Sequence, residues 1–278
     1  PPEPVSPPSM SQGAFEALLR RDRLIGGVAL GTLVVAAWAY LVYLAFAMSD
    51  MTTDMAGMPG MSITMPDMHP WSWMEFAALV VMWTVMMVAM MTPAAAPMIL
   101  TFAAIHRRRA AAGEPSVPTV IFVLGYFLVW TVYSLAAGAA QAGLHAAALL
   151  SPEMAATSSL FAGGLLIAAG VFQWTPLKRA CLAACRSPLS FLMSRWREGA
   201  GGALLMGLRH GLYCLGCCWA LMALLFVAGV MNLFWVAAIA VVVLVEKVVP
   251  LGDAVGRVGG VGLIVAGGLL VARSIVSG

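Results

Sequence analysis

The sequence predicts an all-α protein, a polytopic bundle of about seven transmembrane helices with its N-terminus inside and its C-terminus outside. Three observations carry this expectation. Of the 278 residues 62% are hydrophobic and 10% charged, against roughly 45–50% and about 25% in an average soluble domain, so an ordinary water-soluble core is excluded. Apolar runs recur from Leu24 to Ser277, each close to the ~20 residues that a helix needs to cross a bilayer. The basic residues cluster at alternate ends of those runs, as the positive-inside rule requires.

The spans are expected at 24–48, 73–92 with an extension to His106, 119–139, 158–174, 203–230, 235–249 and 258–275. Residues 1–23 open with the Pro- and Ser-rich PPEPVSPPSMSQG, too polar to pack, and are expected as a disordered cytoplasmic tail. The first span follows Arg20, Arg21 and Arg23 directly and is longer than a signal-peptide core, so it reads as a signal anchor. With the N-terminus inside, thirteen of the 15 Lys and Arg residues fall on one side, among them Arg107 to Arg109, Lys178, Lys247 and Arg257. The opposite loops around Asp54, Glu153 and Asn232 hold none. The net charge of +3 therefore reports orientation, and no nucleic-acid partner is implied.

Pro93 and Pro97 are expected to kink the second span or end it in a cytoplasmic turn. Gly163, Gly164 and Gly170 in the fourth span, and Gly259, Gly260, Gly267 and Gly268 in the seventh, provide small surfaces for close helix approach.

Residues 49–72 form a Met-rich segment expected outside. Met55, Met58, Met61, Met65 and Met68 recur at steps of three and four, but Gly57, Pro59, Gly60, Pro66 and Pro70 would interrupt a helix, so a loop is predicted. Thioethers are soft donors that select Cu(I), and His69 adds a borderline one. The alternative is an adaptable hydrophobic lid or partner-binding patch.

Inside the bilayer, Met206, His210, Cys214 and Cys218 follow one another at steps of four, with Cys217 beside them, and share one helical face. A thiolate at that depth needs a metal or cation, which makes His210, Cys214, Cys217 and Cys218 candidate ligands; three small thiols packed in a helix are the plainer reading. Glu246 lies near the inner end of the sixth span. It is a candidate ligand too, with Arg209 or His210 as a possible partner, because the adjacent Lys247 diverges from it on the helix. Glu75 is shallow enough for a structural role. Met82, Met86 and Met90 form one stripe of the second span and Met87 and Met91 an adjoining one, either flexible core or a continuation of a metal route.

Cys181 and Cys185 lie in the expected cytoplasmic connection at 175–202. Their CxxxC spacing is looser than that of a zinc site, and in a reducing cytoplasm they are expected as thiols. An amphipathic interfacial helix, with Leu182, Leu189, Phe191 and Trp196 toward lipid, is the simplest account.

The segments AMMTPAAAPM, CLAACRSPLSFL, YCLGCCWALMALLF, GVMNLFW and LVEKVVP occur in this order. Over roughly residues 24–250 the chain resembles a bacterial family of uncharacterised proteins described as predicted metal-binding integral membrane proteins. The resemblance implies a multi-pass protein of the bacterial inner membrane with a suspected metal site and no established reaction.

Copper, or another transition metal, is the expected ligand, and Cu(I) capture, transfer or transport the leading function. The alternative is a metal- or thiol-dependent subunit or assembly partner of a membrane redox enzyme; a scaffold whose Met segment docks a soluble protein would bind no metal. Expected partners are membrane lipids and a metallochaperone or redox complex. No P-loop, GxSxG or HExxH motif is present, so neither ATP-driven pumping nor hydrolysis is supported.

The charge asymmetry makes a topological prediction. With single cysteines placed at position 52 or 187 of a Cys-free variant, an impermeant thiol reagent applied to intact cells should label the Thr52→Cys protein and spare the Ser187→Cys protein. The reverse pattern would invert the orientation.

Overall fold

The computed structural model describes residues 12–56, 72–113, 117–150 and 156–277, and these fold almost entirely as helix. In chain order the helices are α1 (Gln12–Ala56), α2 (Trp73–Ala111), α3 (Thr119–Ala146), α4 (Ser159–Phe172), α5 (Pro176–Arg186), α6 (Pro188–Arg195), α7 (Gly199–Ala223), α8 (Leu225–Ala228), α9 (Leu233–Val248) and α10 (Gly252–Ser277).

Among the described residues five helices are long and apolar enough to cross a membrane: residues Leu24–Ala47 within α1, then α2, α3, α7 continued into α8, and α10. A sixth span is possible if α4 and α5, bent by 62° at their junction, count as one. The expected seven is not reached by length, because α9 has only 16 residues and α4 only 14. Both ends of the first helix differ from expectation. The α1 backbone is helical from Gln12, inside the segment expected as a tail, and runs to Ala56, so Met48, Met51 and Met55 lie on helical backbone. Met58, Met61, Met65, Met68 and His69 lie outside the described residues. The expected extension of the second span to His106 is met, because α2 passes through Pro93 and Pro97 and continues to Ala111 with no turn at the prolines.

Local chemistry sets several ends. Ser72 and Glu75 form a reciprocal capping box at the start of α2, which gives Glu75 a structural task. Thr175 caps α5, with Pro176 in its first turn. Gly229, at φ +90°, turns the chain between α8 and α9, and Asn232 caps α9 by accepting from the Trp235 amide.

Glycines govern two helix contacts. A Cβ on Gly163 would lie 2.8 Å from the Gly267 carbonyl oxygen and one on Gly170 would lie 2.6 Å from that of Gly260, so α4 and α10 meet backbone to backbone. Of the other expected glycines, Gly164, Gly259 and Gly268 face open space. Between α3 and α7, a Cβ on Gly207 would collide with the Phe122 carbonyl and one on Gly125 with the Leu204 carbonyl. The core lies among α2, α3, α7 and α9, where Trp83, Met86, Met87, Met90, Met91 and Tyr126 are fully buried. The outward faces of α1, α3 and α10 are apolar and exposed, for example at Val35, Leu128, Val132 and Val258.

Gly267→Leu should therefore separate α4 from α10 and destabilise the fold by about 1–3 kcal/mol, the usual cost of overpacking. Gly268→Leu, one residue on, should leave the melting temperature in detergent unchanged.

Candidate metal centre

The centre is built on α7. Gly207 and Gly211 let α3 approach so closely that Tyr126 comes to rest on the face carrying His210 and Cys214. The Tyr126 hydroxyl lies 3.1 Å from Cys214 Sγ and donates to the Met91 carbonyl at 3.4 Å. From α9, Lys247 reaches the same sulfur, with Nζ 2.8 Å from Cys214 Sγ. Cys217 and Cys218 both donate to the Cys214 carbonyl, at 3.1 and 2.9 Å, and Cys218 Sγ also sits 3.9 Å from Met91 Sδ on α2. All three α7 cysteines are buried free thiols.

A fourth thiol joins them. Helix α5 packs along α7, and the Cys185 side chain interacts with both Cys214 and Cys217. Cys181 packs against position 216, where a Cβ in place of glycine would lie 2.7 Å from its Sγ. The expectation of a lipid-facing connection is thus corrected. Leu182 and Phe191 are core residues, while Leu189 remains exposed. An 11-residue amphipathic helix can bury its apolar face against protein as readily as in lipid, and the pattern alone does not choose between them.

His210 is 2% exposed, and among the described residues neither of its ring nitrogens has a hydrogen-bond partner. The ring stacks on Tyr126 at 5.4 Å and on Phe122 at 6.2 Å, with the edge of Phe191 at 5.9 Å. A buried imidazole normally satisfies at least one nitrogen, because an unpaired buried polar group costs about 1–3 kcal/mol. Two unpaired nitrogens one helical turn from a thiol cluster are what a soft-metal site would hold in reserve.

Glu246 stands apart from this group. Both of its carboxylate oxygens accept from Lys178 Nζ, at 2.8 and 2.7 Å, and Lys178 donates in addition to the Gln173 side-chain oxygen. Neither Arg209 nor His210, its expected partners, takes that role. The side chains of Glu246 and Lys178 are 2% and 3% exposed, so the carboxylate is already neutralised where its charge is most costly. As expected, Lys247 turns away from Glu246.

The structure thus brings together His210, Cys214, Cys217 and Cys218 and adds Cys185, Met91, Tyr126 and Lys247, which were not weighed as members of this site. Lys247 was legible as a cation in the middle of VLVEKVVP; the involvement of Cys185 and Tyr126 depends on helix packing. Among the described residues no three His, Cys, Asp or Glu side chains form a ready metal cage. The arrangement is a set of neighbouring soft donors, and a metal would draw them in by replacing thiol protons.

The pairing of Glu246 can be tested directly. Glu246→Ala should strand the Lys178 ammonium and cost about 3–5 kcal/mol, whereas adding Lys178→Met should recover much of that loss. Chemical or thermal unfolding of both variants in detergent would read it. An unaltered Glu246→Ala protein would show that the pair carries no structural weight.

Among known proteins, the model of the PpoB2 family, described as a copper chaperone, matches residues 80–270. No curated protein and no solved structure matches the chain. The matched range contains Met91, Tyr126, Cys185, the α7 face and Lys247.

Proposed function

The chain belongs to the PpoB2 family of copper chaperones, and from that premise we propose that it holds Cu(I) within a membrane-embedded helical bundle and passes it on. One observation carries this reading. Three buried thiols, the half-buried Cys185 thiol, the Met91 thioether and an imidazole with both nitrogens unpaired among the described residues lie side by side along α7. Copper here is cargo. Soft sulfur donors favour Cu(I) over harder divalent ions, and a dispersed donor set suits an ion that must also leave.

The donors that hold the ion are Cys214 and Cys218, one turn apart on one α7 face, with Cys217, Cys185, Met91 and His210 at the margin. Two thiolates around Cu(I) carry a net charge of −1. The Lys247 ammonium, already at Cys214, supplies the compensating charge that an apolar interior requires. Capture begins at the Met-rich segment outside, through Met55, Met58, Met61, Met65, Met68 and His69. Transfer follows the buried Met82, Met86, Met87, Met90 and Met91 of α2, whose last member touches Cys218. The protein resides in the bacterial inner membrane with N-terminus in and C-terminus out. Long apolar helices with exposed apolar faces support that placement, as does the charge pattern, even though two of the basic residues it counts, Lys178 and Lys247, are buried and paired. A metallochaperone or a membrane redox complex is the expected partner.

The proximity of Cys185 to Cys214 and Cys217 favours one second reading, a thiol-dependent redox subunit. That reading requires reversible disulfide formation and does not require bound copper.

Competition of the purified protein with a chromophoric Cu(I) chelator separates these possibilities. Cys214→Ser and Cys218→Ser should each weaken Cu(I) binding by roughly tenfold or more, a loss typical of a disturbed metal site, and His210→Phe should also weaken it. Cys181→Ser should not. Replacing Met55, Met58, Met61, Met65 and Met68 with Leu should remove the outer binding event while the fold persists, since Met-to-Leu changes conserve volume. Full Cu(I) affinity in the folded Cys214 and Cys218 variants would exclude the α7 face as the site.

A further inference from the structure

On the side of α9 away from Lys247 the bundle opens into an apolar groove of about 630 Å³, within the 300–1,000 Å³ of typical small-ligand sites. Leu221, Ile239 and Glu246 form its buried floor, while Trp235, Val242 and Val255 stand exposed at its lips. Gly259 also lines it, and a Cβ added there meets nothing within 4 Å. Along α9 the groove runs from Trp235 to Glu246, eleven residues or about 16 Å at ~1.5 Å per residue. That is close to half of the ~30 Å hydrocarbon core, the depth of one leaflet.

The groove is apolar except at its Glu246 end, where Gln173 belongs both to the groove and to a small cleft beyond it. Four charged residues line that cleft: Lys178, Arg179, Asp253 and Arg257. Lys178 is neutralised by Glu246, and Asp253 is paired with Arg186 at 3.3 Å. Arg186 also donates to the Val249 and Pro250 carbonyls. Arg179 and Arg257 are left exposed and without an acidic partner among the described residues; Arg257 makes one hydrogen bond through Nε, 3.4 Å from the Asp253 carbonyl. Two guanidinium groups at the mouth of a leaflet-deep apolar channel match a phosphate attached to a hydrocarbon chain.

We propose that this groove binds one anionic phospholipid, with its phosphate on Arg179 and Arg257 and an acyl chain lying between α9 and α10. The lipid fills the wedge that the short α9 leaves beside α10 and supports the α9 register from which Lys247 reaches Cys214. The site rests on the membrane reading above and is independent of copper.

The test uses the whole protein in mild detergent, titrated with phosphatidylglycerol or phosphatidylcholine while thermal unfolding and native mass spectrometry are followed. Phosphatidylglycerol should raise the melting temperature and remain bound at about one molecule per chain, with phosphatidylcholine several-fold weaker. Arg179→Gln with Arg257→Gln, both at exposed positions, should abolish that preference without loss of fold. Gly259→Leu, which fills the groove, should lower lipid occupancy while both arginines remain. Equal binding of the two lipids, a preference that survives the arginine changes, or retention of a neutral lipid or a second copy of the chain in the groove would each overturn the proposal. Resistance of the protein to alkaline extraction from membranes tests the membrane reading separately, so a failed lipid site and a failed membrane assignment remain distinguishable.

Discussion

Two opposite charges side by side in an apolar helix are the constraint from which the centre of this protein follows. Glu246 and Lys247 lie near the end of α9, and consecutive helical positions point about 100° apart, so neither can neutralise the other. Each must find a partner on a different neighbour. Glu246 takes Lys178 of α5 at 2.7 Å and Lys247 takes the Cys214 sulfur of α7 at 2.8 Å. A buried charge without a partner costs several kcal/mol, which makes the mutual placement of α5, α7 and α9 a condition of folding. That placement also puts Cys185 of α5 beside the α7 cysteines.

Close approach through glycine completes the arrangement from the other side. Gly125, Gly207 and Gly211 remove the side chains that would hold α3 away from α7. Phe122 and Tyr126 can then enclose His210, and the Tyr126 hydroxyl can meet Cys214. The rings of Phe122, Tyr126 and Phe191 pack around the imidazole, and among the described residues both of its nitrogens are unpaired at a point where folding alone would favour satisfying them. A buried imidazole left unpaired costs stability, a conflict common at functional sites.

What the centre can do follows from donor softness and charge. Sulfur from two residue types, imidazole and one ammonium suit a monovalent soft cation, and the carboxylate of Glu246, next to Lys247 in the chain, is already engaged by Lys178. A harder divalent ion favours several charged oxygen ligands, and the neighbouring Glu246 carboxylate is held by Lys178. The methionines of α2 are buried, and Met91, the last of them, lies beside Cys218.

The sequence by itself determined the helical class, the apolar segments and the His210, Cys214 and Cys218 face, because helical periodicity and bilayer length are local properties of consecutive residues. It also marked Glu246 and Lys247 as expensive and predicted that they would diverge. It could not show that Cys185 joins the α7 thiols or that Lys178 is a buried counter-ion: both lie on an amphipathic helix whose apolar face could equally have met lipid. Nor could it separate Gly163, Gly170, Gly260 and Gly267, which meet another backbone, from Gly164, Gly259 and Gly268, which do not, since that depends on how α4 and α10 are rotated. Pairing across helices separated by up to 127 residues, as between Met91 and Cys218, is decided by packing and by the need to satisfy buried charge, and only the tertiary structure fixes both.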